Sequence, residues 1–402
     1  MADENQPNEP SSGTYTETTS QSWLQRMKGA ITGVLVGIAL VPASIWFLAW
    51  NEDRAVTTAR SLTEGAAAVV SVEAAKVDPA NNGKLIYVTG ELATTGTLTD
   101  AEFGVSAEGV MLVRQVEMFQ WREKSESKTR EKIGGGTETV TTYSYERTWS
   151  TARIDSSSFK QPGGHQNPEM RYSGRNYVSP NVTLGAFSVP ERLVTQVGNA
   201  KPVEVTRQMV EQFVLKSGQA ANFSDSAIFI GSDPASPKVG DLRVSFKIVP
   251  KQTVSIVAQQ SANSFAPYQT KAGNQLMMLS TGTVAANAMF KQAESANRTT
   301  TWLFRLGGCI AMFIGFSMIM GPIRMLGAVL PILSQLFQLG TGLVALVLTA
   351  IVAPITIAIA WFAVRPVTAA IVLAAGLVLA FGIVKLRKKK IVAPPQAATP
   401  AA

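Results

Sequence analysis

Two apolar blocks of unequal length bracket a polar stretch of 251 residues, Asn51 to Thr301, and this layout leaves few folds open. Residues 30 to 50 form a 21-residue uncharged run, which as a helix reaches about 31 Å, the thickness of a bilayer's hydrocarbon core. Toward the other end, Met325 to Val364 carries no charge over 40 positions. The chain therefore reads as α+β, a multi-pass α-helical membrane protein with a large β-rich extramembrane domain between its first and second spans.

Charge and proline set the boundaries. A polar leader, residues 1–29, cannot build a core and reads as disordered and cytoplasmic. Spans are expected at 30–50, 302–320, 339–364 and 366–384. Residues 321–338 read as an interfacial or re-entrant segment, bounded by Pro322 and bent near Pro331, and 385–402 as a basic and then disordered tail. A cleavable signal peptide competes for the first run, but Asn51, Glu52 and Asp53 follow it without a small-residue cleavage pattern.

Four crossings bring both termini to one side. Arg26, Lys28, Arg324 and the stretch Lys385 to Lys390 then all face the cytoplasm, as the positive-inside bias asks. Residues 51–301 would lie outside the cytoplasm: beyond the inner membrane of a bacterium, or in the lumen of the endoplasmic reticulum or inner nuclear membrane of a eukaryote. Trp46, Trp50, Trp302, Trp361, Arg305, Arg324, Lys388 and Lys389 are the expected membrane anchors, Arg305 reaching to the headgroups from one turn inside the second span.

The polar segment is nearly neutral, with 26 basic residues against 24 acidic ones, so the formal charge of +8 arises at the membrane flanks. Nucleic acid is not an expected partner. One cysteine, Cys309, excludes an intramolecular disulfide.

Within the segment the apolar period is two. VMLVRQVEMFQW at 110–121 and ETVTTYSYERTWS at 138–150 predict two long strands joined through a charged stretch and Gly134-Gly135-Gly136, a hairpin with an exposed distal end. LRVSFKIV at 242–249 predicts another strand, and residues 205–216 and 284–297 predict helices.

Catalytic chemistry finds little footing. His165 is the single histidine, and no cysteine outside the membrane accompanies it in a zinc set. Glu117 and Glu123 share a strand face but stand about 20 Å apart, too far for a glycosidase pair. No metal, cofactor or enzymatic activity is expected. Glu117, Trp121, Arg122, Glu123, Lys124, Tyr143 and Tyr145 instead mark a candidate partner-binding surface on the hairpin.

The motifs VMLVRQVEMFQWRE (110–123), HQNP (165–168), VGDLRVSFKIV (239–249) and TWLFRLGGCIAMFIGFSMIMGPI (301–323), followed by VLPIL (329–333), resemble the transmembrane protein 43 (LUMA) family. The resemblance runs from the first span to the last. It implies four spans with a large loop after the first, no established enzymatic activity, and a role in organising membrane-protein complexes. Alanine content and the short acidic leader point to a bacterial member. The leading expectation is a membrane-anchored scaffold whose partners are membrane lipids, other membrane or envelope proteins and further copies of itself. A channel or transporter subunit is the alternative, and an envelope enzyme the third choice.

Overall fold

The computed structural model describes residues 13–132, 135–327 and 331–364. The described residues fall into two compact units: 13–21, Arg60–Lys132 and Gly136–Glu294 form the first, while Ser22–Ala59, Gly135, 295–327 and 331–364 belong to the second.

The principal strands of the first unit are β1 (Tyr15–Gln21), β2 (Leu85–Ala93), β3 (Met111–Glu131), β4 (Thr137–Ser150), β5 (Arg175–Val178), β6 (Ala221–Ser224), β7 (Ala227–Ile230), β8 (Leu242–Val249), β9 (Thr253–Ser261) and β10 (Met278–Thr281). One sheet runs β1-β4-β3-β8-β7-β6, with β5 also paired to β3. The second centres on β9, which pairs antiparallel with both β2 and β10. Alternation explains β8: Leu242, Val244 and Phe246 are buried while Arg243, Ser245 and Lys247 point away from that core.

Each sheet has its own apolar cluster. Leu112, Val116, Met118, Val244 and Phe246 pack with Phe103 and Phe213. Phe213 belongs to helix α2 (Arg207–Ser217), which starts where the Thr206 side chain accepts Met209 N and stops at Gly218, whose φ of 68° suits glycine. The other cluster joins Ile86, Val88 and Leu92 to Ile256, Leu184 and Phe187.

In the second unit lie the N-terminal part of α1 (Trp23–Ala68), most of α3 (Ala286–Ile319), α4 (Gly321–Gly327) and α5 (Pro331–Val364). Among the described residues three helices are long and apolar enough to cross a membrane. The chain is thus a multi-pass helical membrane protein with a large β-rich region between its first and second spans. Glycines let α1 and α3 approach closely: a Cβ on Gly37 would stand 2.6 Å from the Gly315 carbonyl oxygen, and one on Gly315 2.8 Å from Val41 Cγ2. Small residues at such crossings allow the packing that drives helix association in lipid.

Two expectations need correction. The leader was expected to be without ordered structure, yet Tyr15–Gln21 forms a strand on the edge of β4, where threonine-rich β-forming sequence needs a partner rather than a core. Residues 331–338 were expected to stand apart from the third span, but among the described residues they run directly into it as part of one helix, Pro331–Val364. The span expected at 366–384 and the tail lie outside the described residues.

Candidate functional site

β3 is 21 residues long, and its two halves differ in burial. Up to Met118 it is flanked by β8, and Leu112, Val116 and Met118 are core. From Met118 to Glu131 it pairs with β4, Met118 opposite Ser150 and Glu131 opposite Thr137. β1 then covers the far edge of β4, Tyr15 opposite Tyr143 and Gln21 opposite Thr137. The result is a three-stranded ribbon, β1-β4-β3, whose β3 residues Lys124 to Arg130 are exposed.

Asn167 marks where the sheet gives way to the ribbon. Its Oδ1 accepts Trp121 N at 2.7 Å and its Nδ2 donates to Trp121 O at 2.9 Å, so one side-chain amide takes the place of the missing strand. A second donation from Nδ2 reaches Ile154 O at 3.1 Å. A buried backbone pair is thereby satisfied without extending the sheet.

An aromatic cluster closes over the same point. Trp121 is 7% exposed and Tyr145 3%, and both pack with Phe159. His165 stacks on Tyr145 with ring centroids 3.9 Å apart and meets Trp121 edge-on at 4.8 Å. The His165 Nδ1 lies 3.0 Å from Gln161 O, a contact that requires the proton on Nδ1. Tyr145 Oη donates to Glu123 Oε2 at 2.8 Å and accepts Gln161 N at 3.0 Å. Burial, and next the hydrogen bond to Glu123, push the Tyr145 phenol up to about 12.

The residues expected at the surface thus divide. Trp121 and Tyr145 are packed inside the ribbon's base. Glu123 also accepts Lys160 N at 2.6 Å, and Glu117 holds Arg243 through Nε at 3.0 Å and Nη2 at 2.8 Å, so the two carboxylates serve separate partners and form no acid pair. Arg122 and Lys124 are exposed, Lys124 bound to Glu146 at 2.7 Å. Tyr143 faces Tyr15 across the strand pair at 6.1 Å. Sequence reading missed Asn167, Lys160 and the whole of β1; the alternation Tyr15, Glu17, Thr19 was the available signal.

The second unit carries its own polar cluster. Arg305 grips Glu52 through Nε at 2.7 Å and Nη2 at 2.8 Å, while Trp361 Nε1 donates to Glu52 Oε2 at 2.6 Å. Glu52 is 2% exposed and Arg305 15%, so Arg305 closes on a carboxylate where it was expected to reach the headgroups. One turn along, Arg54 donates to Asn51 Oδ1, Asn297 Oδ1 and Thr301 Oγ1, each at 3.2 Å. Trp46 and Trp302 are 68% and 63% exposed, and Trp50 41%. Arg324 donates through Nε to Thr341 Oγ1 at 3.3 Å. Lys388 and Lys389 lie outside the described residues. Among the described residues no three His, Cys, Asp or Glu side chains are placed to hold a metal.

The family model for transmembrane protein 43 matches residues 118–366. Human transmembrane protein 43 is 31% identical over 377 residues, covering 90% of this chain and 92% of its own length. The rat protein is 30% identical over 369 residues, covering 89% and 90%. A fly homologue of transmembrane protein 43 is 27% identical over 354 residues, covering 85% and 91%. No solved structure matches. The matched relatives come from mammals and a fly, which overturns the bacterial placement suggested by composition; alanine content and a short leader do not report the source of a chain.

Proposed function

Because the chain belongs to the transmembrane protein 43 family of non-enzymatic membrane proteins, we propose that it organises membrane-protein complexes, with the β1-β4-β3 ribbon as its contact surface. The observation that carries this reading is the ribbon itself. It extends beyond both apolar clusters, and its β3 residues from Lys124 to Arg130 are exposed and polar. Strand lengths of this kind add nothing to a core, whereas they present a large, rigid face to another molecule. The animal relatives favour a membrane of the endoplasmic reticulum or inner nuclear envelope as its site. The positive-inside distribution favours placing the bulk of residues 51–301 outside the cytoplasm.

Cross-linking in native membranes followed by isolation of the full chain tests the reading. Defined protein partners should be recovered and then lost when residues 122–138 are replaced by a tight turn. Recovery of the same partners from the shortened chain would refute the assignment to the ribbon.

A further inference from the structure

Both outer edges of the ribbon are open among the described residues. β1 pairs with β4 alone, and β3 has no strand on its other side beyond Met118, where β8 ends its pairing. An open edge is a template for another strand, so the question is which strand fits.

Asn167 fixes the direction of the backbone groups. Since Trp121 N and O both meet its side chain, the odd-numbered residues of β3 turn their N–H and C=O away from β4. Antiparallel alternation carries this onward to Glu123, Ser125, Ser127 and Thr129. Even-numbered residues bond β4, and following the registers across β4 leaves Thr16, Thr18 and Ser20 turned outward from β1.

These two edges are complementary. β1 and β3 are each antiparallel to β4 and therefore run in the same direction, and Thr18 and Lys128 stand at one level because both lie opposite Val140. In a parallel pair a residue bonds to the two neighbours of the one it faces. An outward Thr18 set level with Lys128 would meet Ser127 and Thr129, the residues whose groups are free. We propose that β1 of one copy pairs in parallel with β3 of the next, so that ribbons join head to tail.

Charge argues against the symmetric alternative, β3 against β3. An antiparallel pair centred on Ser127 sets Lys124 against Arg130 and Glu123 against Glu131, two like-charge pairings against the one opposite pairing of Glu126 with Lys128. Centring it on Glu126 or Lys128 sets that residue against its own copy, centring it on Thr129 sets Lys128 against Arg130, and centring it on Ser125 sets Lys128 against Arg122 and needs Trp121, whose N–H and C=O are already bonded to Asn167. Like charges directly opposite are destabilising. β1 carries one charge, Glu17, and that carboxylate is already held by Lys160 Nζ at 2.8 Å. Head-to-tail contacts close into a ring or continue as a filament. The inference rests on the ribbon as contact surface and names a second copy as the occupant of one edge.

The full chain in native membranes, with Cys309→Ser as background, provides the test through Thr19→Cys combined with Thr129→Cys. Within one copy these residues flank Thr139 on either side, about 9.6 Å apart and beyond disulfide reach. Oxidation should give a ladder of dimers, trimers and larger species on a non-reducing gel, severalfold above either single-cysteine chain. Thr129→Cys with Thr139→Cys should close within one copy and so report a formed hairpin. Monomer alone, with that control closed, would overturn the proposal, as would dimers from Thr129→Cys by itself. If the ladder fails while other partners are still recovered through residues 122–138, the interaction reading survives; loss of both removes both.

Discussion

Glu52 is where the membrane unit is most sensitive to a single change. Its carboxylate takes two donors from Arg305 and one from Trp361, and it is almost fully buried. Removing one partner strands the other, at a cost of about 3–5 kcal/mol. Arg305→Ala should therefore lower the thermal transition of the reconstituted chain, and adding Glu52→Gln should recover part of the loss; an unchanged transition in Arg305→Ala would contradict the assignment. Tyr145 offers a second test. Its pKa is raised from 10.0 to about 12, so the folded state holds the phenolic proton more tightly than the unfolded chain. The associated stability is complete below pH 10, declines as pH rises from 10, and is lost by about 12. The phenolate absorbance missing from a Tyr145→Phe chain should be the portion that titrates last. If that portion appears near pH 10, the phenol is not held buried against Glu123. Neither contact was legible in the sequence: Glu52 looked like a polar residue following a span, and Tyr145 was expected on an exposed binding surface, not in a buried cluster. Each acquires its role from a residue more than twenty positions away.

At the scale of elements, the sequence predicted what local pattern determines. The alternating runs at 110–121, 138–150 and 242–249 are strands, and 207–217 is a helix with a threonine cap and a glycine stop. It did not reveal β1, because YTETTSQ buries almost nothing and its strand is defined by β4. Edge strands without a core face leave only a weak apolar signature. Deleting residues 15–21 should accelerate amide exchange at Thr137, Thr139, Thr141 and Tyr143, whose backbone groups face β1, while leaving Val116 and Val244 protected. Equal exchange in both chains would show that β1 does not hold that edge. Helix contacts follow a similar logic. Gly315→Leu sets a side chain against Val41, whose Cγ2 lies 2.8 Å from the first added carbon, and overpacking of this kind costs about 1–3 kcal/mol.

For the whole molecule, connectivity makes the ribbon more demanding than an ordinary hairpin. Residues 15–21 precede the first apolar run and residues 137–143 follow it, yet they pair over seven positions. The two segments lie about 120 positions apart in the chain, so the strand pair between them is a long-range contact. The account therefore stands on one pairing, between leader and hairpin, in the membrane-embedded chain. Thr18→Cys with Val140→Cys, introduced together into the Cys309→Ser chain, measures it directly. The account predicts that oxidation in native membranes joins these two positions within one copy; free thiols at both, while Thr129→Cys and Thr139→Cys still close, would contradict it.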